Sequence, residues 1–215
     1  MGSRISLALV DDEPAFLFEF SQRLRARGFD VLTFRDAASI LEELGKRVMC
    51  DVIVADVRMP GLSGLELQER LVARHTPVPL ILVTGYADVE IAVSAMKAGA
   101  YDFLGKPVDE ERLARSIERA VADNRRRMHE LNEQRLLKER VSELGERHKQ
   151  VLDLVVKGLT SKQIAAQLKI NHRTVENYRA FVMDRIGVGS IAQLVRVMMQ
   201  FGPEIPPDPR RSDDM

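Results

Sequence analysis

The chain has one cysteine, no tryptophan, four histidines and 5% aromatic residues in 215 positions. A lone Cys50 excludes an intramolecular disulfide, and a reducing compartment, the cytoplasm, is the expected setting. Histidines and cysteine this few and this scattered do not assemble a structural zinc cage. No run of about 18 apolar residues is present, so no membrane-spanning helix is expected. The opening Met1-Gly2-Ser3-Arg4 lacks the apolar stretch of a secretory signal. There is no net charge either, yet 45% hydrophobic and 30% charged residues suit a folded chain. At about 150 residues per domain, one or two domains are expected.

The charge is unevenly spread. Residues 1–108 carry 12 Lys/Arg against 15 Asp/Glu, and 109–143 carry nine of each. Residues 144–202 carry nine against four, and the tail 203–215 two against four. A compact basic segment in a neutral chain points to a polyanion partner, usually nucleic acid.

In the first half, short apolar runs alternate with amphipathic stretches. The runs are Ile5–Val10, Val31–Phe34, Val52–Ala55, Leu80–Val83 and the weaker Tyr101–Leu104. They are largely unalternating, as strands buried on both faces are. Helical patterns fill 14–27, 37–46, 64–74, 88–98 and everything from 109 to about 143, with Pro14 at a first turn and Gly28 at a stop. This alternation predicts a doubly wound α/β fold with a parallel sheet. The long helix 109–143 should first cover the sheet and then continue as a rigid connector, a coiled-coil seam or a solvated single helix. Short helices follow at 146–157, 161–168, 172–186 and 190–200. The Pro-rich tail 203–215 is expected to be disordered. The expected division is a first domain at 1–122, a linker helix at 123–143, an all-α module at 144–202 and the tail.

In such a fold the loops at the carboxyl ends of the strands form the crevice for chemistry. Asp11-Asp12-Glu13, Asp56, Thr84-Gly85 and Lys106-Pro107 each follow a predicted strand. Clustered carboxylates repel unless a cation sits among them, and carboxylates with water suit Mg²⁺. A lysine beside them can pair with a phosphoryl oxygen, and a Thr84 hydroxyl can donate to another. This is equipment for phosphoryl transfer to a carboxylate.

These residues, Leu9-Val10-Asp11-Asp12-Glu13-Pro14, Ala55-Asp56-Val57-Arg58-Met59-Pro60-Gly61, Val83-Thr84-Gly85 and Phe103-Leu104-Gly105-Lys106-Pro107, resemble a bacterial response-regulator receiver domain over about 5–122. The resemblance implies strand order 2-1-3-4-5 and phosphorylation of Asp56 by a histidine kinase. It implies Mg²⁺ held by Asp12, Asp56 and the backbone carbonyl of Arg58, with Asp11 acting mainly through water. Thr84 and Phe103 match the family's switch pair, and Lys106 its phosphate-pairing lysine, often followed by a cis proline. The family's usual dimer surface lies at about 88–118.

Within the basic segment, a short helix after Gly158 and a second opened by Asn171 form a helix-turn-helix pattern, packed by Ile164, Leu168, Ile170, Val175, Val182 and Ile186. The segment is similar to a LuxR-type DNA-binding domain over about 144–202, so the whole chain resembles a regulator of the FixJ/NarL type. By position, Lys162, Thr174 and Arg179 are expected near DNA phosphates, and Arg173 is expected among the DNA-binding residues. Glu176, Asn177 and Ala180 are expected to face bases. Three departures stand out: Gly145 replaces a capping threonine, His148 replaces a glutamate that commonly ties the first helix to the others, and Tyr178 replaces a common histidine. The expected function is phosphorylation-controlled transcription, in which receivers pair as a homodimer and the modules engage duplex promoter DNA. No enzymatic turnover is expected beyond self-dephosphorylation. The alternative is a phospho-relay or adaptor whose C-terminal helices bind a protein.

Overall fold

The computed structural model describes residues 4–46, 50–85 and 89–202. The elements run β1 (Ser6–Val10), α1 (Pro14–Ala26), β2 (Asp30–Phe34), α2 (Ala37–Gly45), β3 (Val52–Asp56), α3 (Gly64–Ala73), β4 (Leu80–Thr84), α4 (Val89–Lys97), β5 (Asp102–Gly105) and α5 (Glu110–Ser142). They continue with α6 (Glu146–Val156), α7 (Ser161–Leu168), α8 (His172–Ile186) and α9 (Ile191–Phe201). The tail 203–215, expected to be disordered, lies outside the described residues. Among them no helix is long and apolar enough to cross a membrane.

The strands form one parallel sheet in the order β2-β1-β3-β4-β5. Side chains alternate across a strand, and here the alternation sorts them into two cores. Leu7, Leu9, Val52, Val54, Ile81 and Val83 join α1 and α5 in one. Ala8, Val10, Ile53, Ala55, Leu80 and Leu82 join α2, α3 and α4 in the other. Burial on both faces explains why β1, β3 and β4 read as unbroken apolar runs. The edge strand β2 has only Val31 buried. The same parity, carried past the strand ends, aims Asp11, Asp56 and Lys106 toward the α1/α5 side and Thr84 toward the other.

Local signals set the helix starts. Asp36 accepts from the Ser39 N–H to open α2, and reciprocal capping boxes, Ser63 with Glu66 and Thr160 with Gln163, open α3 and α7. Within the first domain, buried Gln68 donates to the Ala95 carbonyl at 2.8 Å and ties α3 to α4.

The chain divides into two compact units, 1–128 and 129–215. α5 contributes to both. Leu113, Ile117, Ala120 and Val121 are buried in the first, and Leu137 and Val141 in the core of the second. Residues 125–133 are exposed all round.

Cys50 is buried beside β3. Burial, then the charge of Asp51, pushes its thiol up to about 11. Because the thiolate is the nucleophile, native protein should react with iodoacetamide at neutral pH roughly 100-fold more slowly than an ordinary thiol, before any slowing from restricted access. Timed mass spectrometry of native and denatured protein checks this.

Candidate functional site

Asp11, Asp12, Glu13, Asp56, Arg58, Thr84, Gly85 and Lys106 line one open crevice of about 420 Å³ at the carboxyl ends of the strands. Asp11 follows β1, Asp56 ends β3, Thr84 ends β4 and Lys106 follows β5. The Lys106 ammonium bridges the acids, 2.7 Å from Asp11 Oδ2 and 2.9 Å from Asp56 Oδ1. The second oxygens are also held: the Glu13 N–H donates to Asp11 Oδ1 at 2.9 Å and the Arg58 N–H to Asp56 Oδ2 at 2.6 Å. The Lys106–Pro107 peptide is cis.

Asp11 and Asp56 are 1% and 6% exposed, as deep as the apolar core beneath them. Burial pushes the Asp11 carboxyl above its usual range, against the lowering pull of Lys106 and of the Glu13 N–H. Burial also works against the charge of Lys106, but its hydrogen bonds to Asp11 and Asp56 outweigh that and hold the ammonium above its ordinary value.

The acids supply hard oxygen donors of the kind Mg²⁺ takes. Among the described residues no three His, Cys, Asp or Glu side chains are arranged to hold a metal by themselves. That is compatible with Mg²⁺, which usually keeps several waters and binds through one or two carboxylates plus phosphate oxygens. Asp12 lies exposed at the rim. Phe103 is not part of the crevice lining; it is half-buried and packs on the α2/α3/α4 core, the face toward which Thr84 is aimed.

One crevice neighbour is not evident from the strand-end pattern. The Phe16 ring on α1 lies under the Lys106 ammonium, 4.3 Å from centroid to Nζ. In the sequence Phe16 reads as part of the buried stripe of α1, and no motif spacing marks it.

In the second unit, α7 and α8 form a helix-turn-helix. Lys169 takes the left-handed conformation at the turn (φ 54°), and Asn171 Oδ1 accepts from the Thr174 N–H at 2.7 Å. Val175, Val182 and Ile186 bury the inner face of α8 against Val151, Leu152 and Ile164. Arg173, Glu176, Asn177 and Ala180 lie exposed at the three- and four-residue spacing of a single helix face, and Lys162 is exposed on α7.

Two of the residues expected at phosphates are engaged internally. The Thr174 hydroxyl donates to Asn171 Oδ1 at 2.8 Å. Arg179, 18% exposed at its side chain, donates to the Ser161 hydroxyl and sits 3.7 Å from Glu176 Oε1. It fastens α8 to the first turn of α7. Two of this module's departures, His148 and Tyr178, also meet. The His148 ring packs edge-on against Tyr178 at 4.8 Å and against Phe181 at 4.4 Å. An aromatic contact thus ties α6 to α8 in place of a polar one. The Arg179 and His148 contacts carry no local signal in the sequence.

Residues 7–118 match the response regulator receiver domain family, and 142–198 match the bacterial regulatory proteins of the luxR family. The chain is 38% identical over 203 residues to the transcriptional regulatory protein FixJ of Bradyrhizobium diazoefficiens, covering 94% of this chain and 98% of that protein. It is 36% identical over 198 residues to the response regulator protein TodT of Pseudomonas putida, covering 92% and 87%. Among solved structures, the response regulator StyR superposes with a TM-score of 0.79 at 36% identity, over 93% of this chain and all (100%) of that one. Full-length FixJ from B. japonicum superposes at 0.60 with 37% identity, over 94% and 98%.

Proposed function

Because the chain belongs to the two-component response regulators that join a receiver domain to a LuxR-type DNA-binding domain, we propose that Asp56 is its phospho-acceptor and that phosphorylation controls promoter binding through receiver pairing. The observation that carries this reading is the buried Asp11–Lys106–Asp56 arrangement at the strand ends.

In the proposed reaction an Asp56 carboxylate oxygen attacks the phosphorus carried by a kinase histidine. The P–N bond breaks as the O–P bond forms, and the imidazole leaves, taking a proton. Asp12, Asp56 and the Arg58 carbonyl would hold Mg²⁺, with Asp11 acting through its water, and the ion would supply positive charge to the phosphoryl oxygens. Lys106 stays beside Asp56 and transfers its hydrogen bond from carboxylate to phosphoryl oxygen. Thr84 donates its hydroxyl to the same group. Phe103, packed on the face toward which Thr84 is aimed, follows into the space vacated. Phosphorylation adds charge of about −1.5 to −2 at one point, enough to bias a two-state surface. The surface proposed for pairing is α4, β5 and the start of α5. Val89, Val93 and Met96 stand 76%, 47% and 45% exposed along α4, an apolar stripe that the described residues leave largely uncovered.

The paired modules then engage a two-part DNA site. Lys162 and Arg173 are proposed at phosphates, and Glu176, Asn177 and Ala180 at bases. Thr174 and Arg179 serve chiefly to hold α8 in place. Two modules held together gain effective concentration, so a modest single-module affinity suffices.

The test is solution mass by light scattering, with and without Mg²⁺ and a beryllofluoride phosphoryl mimic, on wild type and Asp56→Ala. The expected result is a doubling of mass in wild type alone. An unchanged mass, or an equal change in both proteins, would overturn the dimer switch.

A further inference from the structure

We propose that Phe16 is a positioning residue for phosphoryl transfer: its ring holds the Lys106 ammonium beside Asp56 and thereby sets how fast Asp56 accepts a phosphoryl group. This rests on Asp56 being the acceptor.

The ammonium is held from three directions, by Asp11 Oδ2 at 2.7 Å, Asp56 Oδ1 at 2.9 Å and the Phe16 ring at 4.3 Å. A lysine stem is long and flexible, and without a third wall its head could withdraw toward solvent. Its side chain is only 21% exposed. The ring is itself fixed: Phe16 stacks on Phe20 with centroids 4.4 Å apart and planes at 23°. Phe20 is buried, and Phe16 packs on the α1/α5 core.

An aromatic face suits this position for an electrostatic reason. It attracts a cation through its quadrupole but carries no net charge. A third carboxylate there would hold the lysine as well, yet would repel an incoming phosphoryl donor. The attraction also varies slowly as the ammonium slides across the ring. Lys106 can therefore pass from carboxylate to phosphoryl oxygen without leaving its support.

The experiment measures phosphorylation of the intact protein by acetyl phosphate and Mg²⁺ in wild type, Phe16→Leu, Phe16→Tyr, Leu17→Val and Asp56→Asn. Phe16→Leu keeps an apolar side chain of similar bulk and removes the π face. It should slow phosphorylation by about three- to tenfold, the range expected of a partly desolvated cation–π contact, and Phe16→Tyr should restore the rate. Leu17→Val loosens the same core from a buried neighbour and should leave the rate within about twofold. A second readout needs no metal or donor: exchange of the Lys106 Nζ protons, followed by ¹⁵N NMR, should be faster in Phe16→Leu than in wild type or Phe16→Tyr. A wild-type rate with unchanged exchange in Phe16→Leu, or equal slowing in Leu17→Val, would overturn the proposal. If Asp56→Asn abolishes phosphorylation while Phe16→Leu matches wild type, the positioning role alone fails. If Asp56→Asn is still phosphorylated at the wild-type rate, the acceptor reading falls and takes the proposal with it.

Discussion

Lys106→Met should cost the receiver about 2–3 kcal/mol in chelator-treated buffer and make it depend on Mg²⁺ far more than wild type does. The side chain bridges two carboxylates that are 1% and 6% exposed. Removing one partner of a buried ion pair leaves charge uncompensated, which typically costs about 3–5 kcal/mol. Lys106 is 21% exposed at its side chain, so solvent screening brings the cost to the bottom of that range or just below it. Methionine fills similar space and keeps contact with the Phe16 ring, so the loss reports charge and not a cavity. A divalent cation entering the acidic crevice would replace the missing charge. Thermal unfolding of the intact protein checks this: the receiver transition should fall by roughly 10 °C with EDTA. It should recover more on adding Mg²⁺ than wild type gains. Equal stability of both proteins in EDTA would show that the acids are not held against each other by Lys106.

Gly64→Ala should be comparably severe, through the backbone. Gly64 opens α3, and a Cβ there would lie 2.3 Å from the Asp56 carbonyl oxygen and 3.0 Å from Leu82 Cδ2. A backbone oxygen at that distance cannot give way as a side chain can, so the end of β3 must move. Overpacking in a tight core costs about 1–3 kcal/mol, occasionally more, and the displaced segment carries Asp56 itself. The expected result is destabilisation of about 3 kcal/mol with loss of phosphoryl incorporation. Gly61→Ala is the comparison. Gly61 has φ +79° and open space around it, so alanine there incurs only left-handed backbone strain, about 1–2 kcal/mol. Denaturant midpoints and incorporation of labelled phosphate separate the two. A Gly64→Ala protein as stable and as active as Gly61→Ala would contradict the close approach.

These two glycines show where sequence reading stops. Both follow Asp56 closely, Gly61 in the loop and Gly64 at the first position of α3, and they look alike in the chain. Only the packing of α3 onto the end of β3 tells a conformational requirement from a steric one. The strands themselves were legible to within a residue or two, because each buried run is bounded by turn residues or an amphipathic helix. The convergence of Asp11, Asp56, Thr84 and Lys106 followed from strand-end logic alone. Strand order did not; it entered by resemblance, since alternation of strands and helices is compatible with several windings. Phe16 escaped because an apolar residue on the buried stripe of α1 gives no hint that its ring also faces an ammonium from another element. Arg179 escaped for the converse reason. A basic residue on α8 suggests a free cation, and nothing local reveals that Ser161 on the preceding helix accepts from it.

The continuity of α5 bears on how such proteins can be cut and recombined. Leu137 and Val141 belong to the helix that begins in the receiver, yet they are buried among Val151, Leu152 and Val182. A fragment starting at Leu144 would leave the DNA-binding half without two core side chains and expose their neighbours to water. Inherited as an interchangeable part, that half has to carry the last turns of α5 with it. The natural seam for recombination lies upstream, in the exposed stretch 125–133, where neither half has a buried stake.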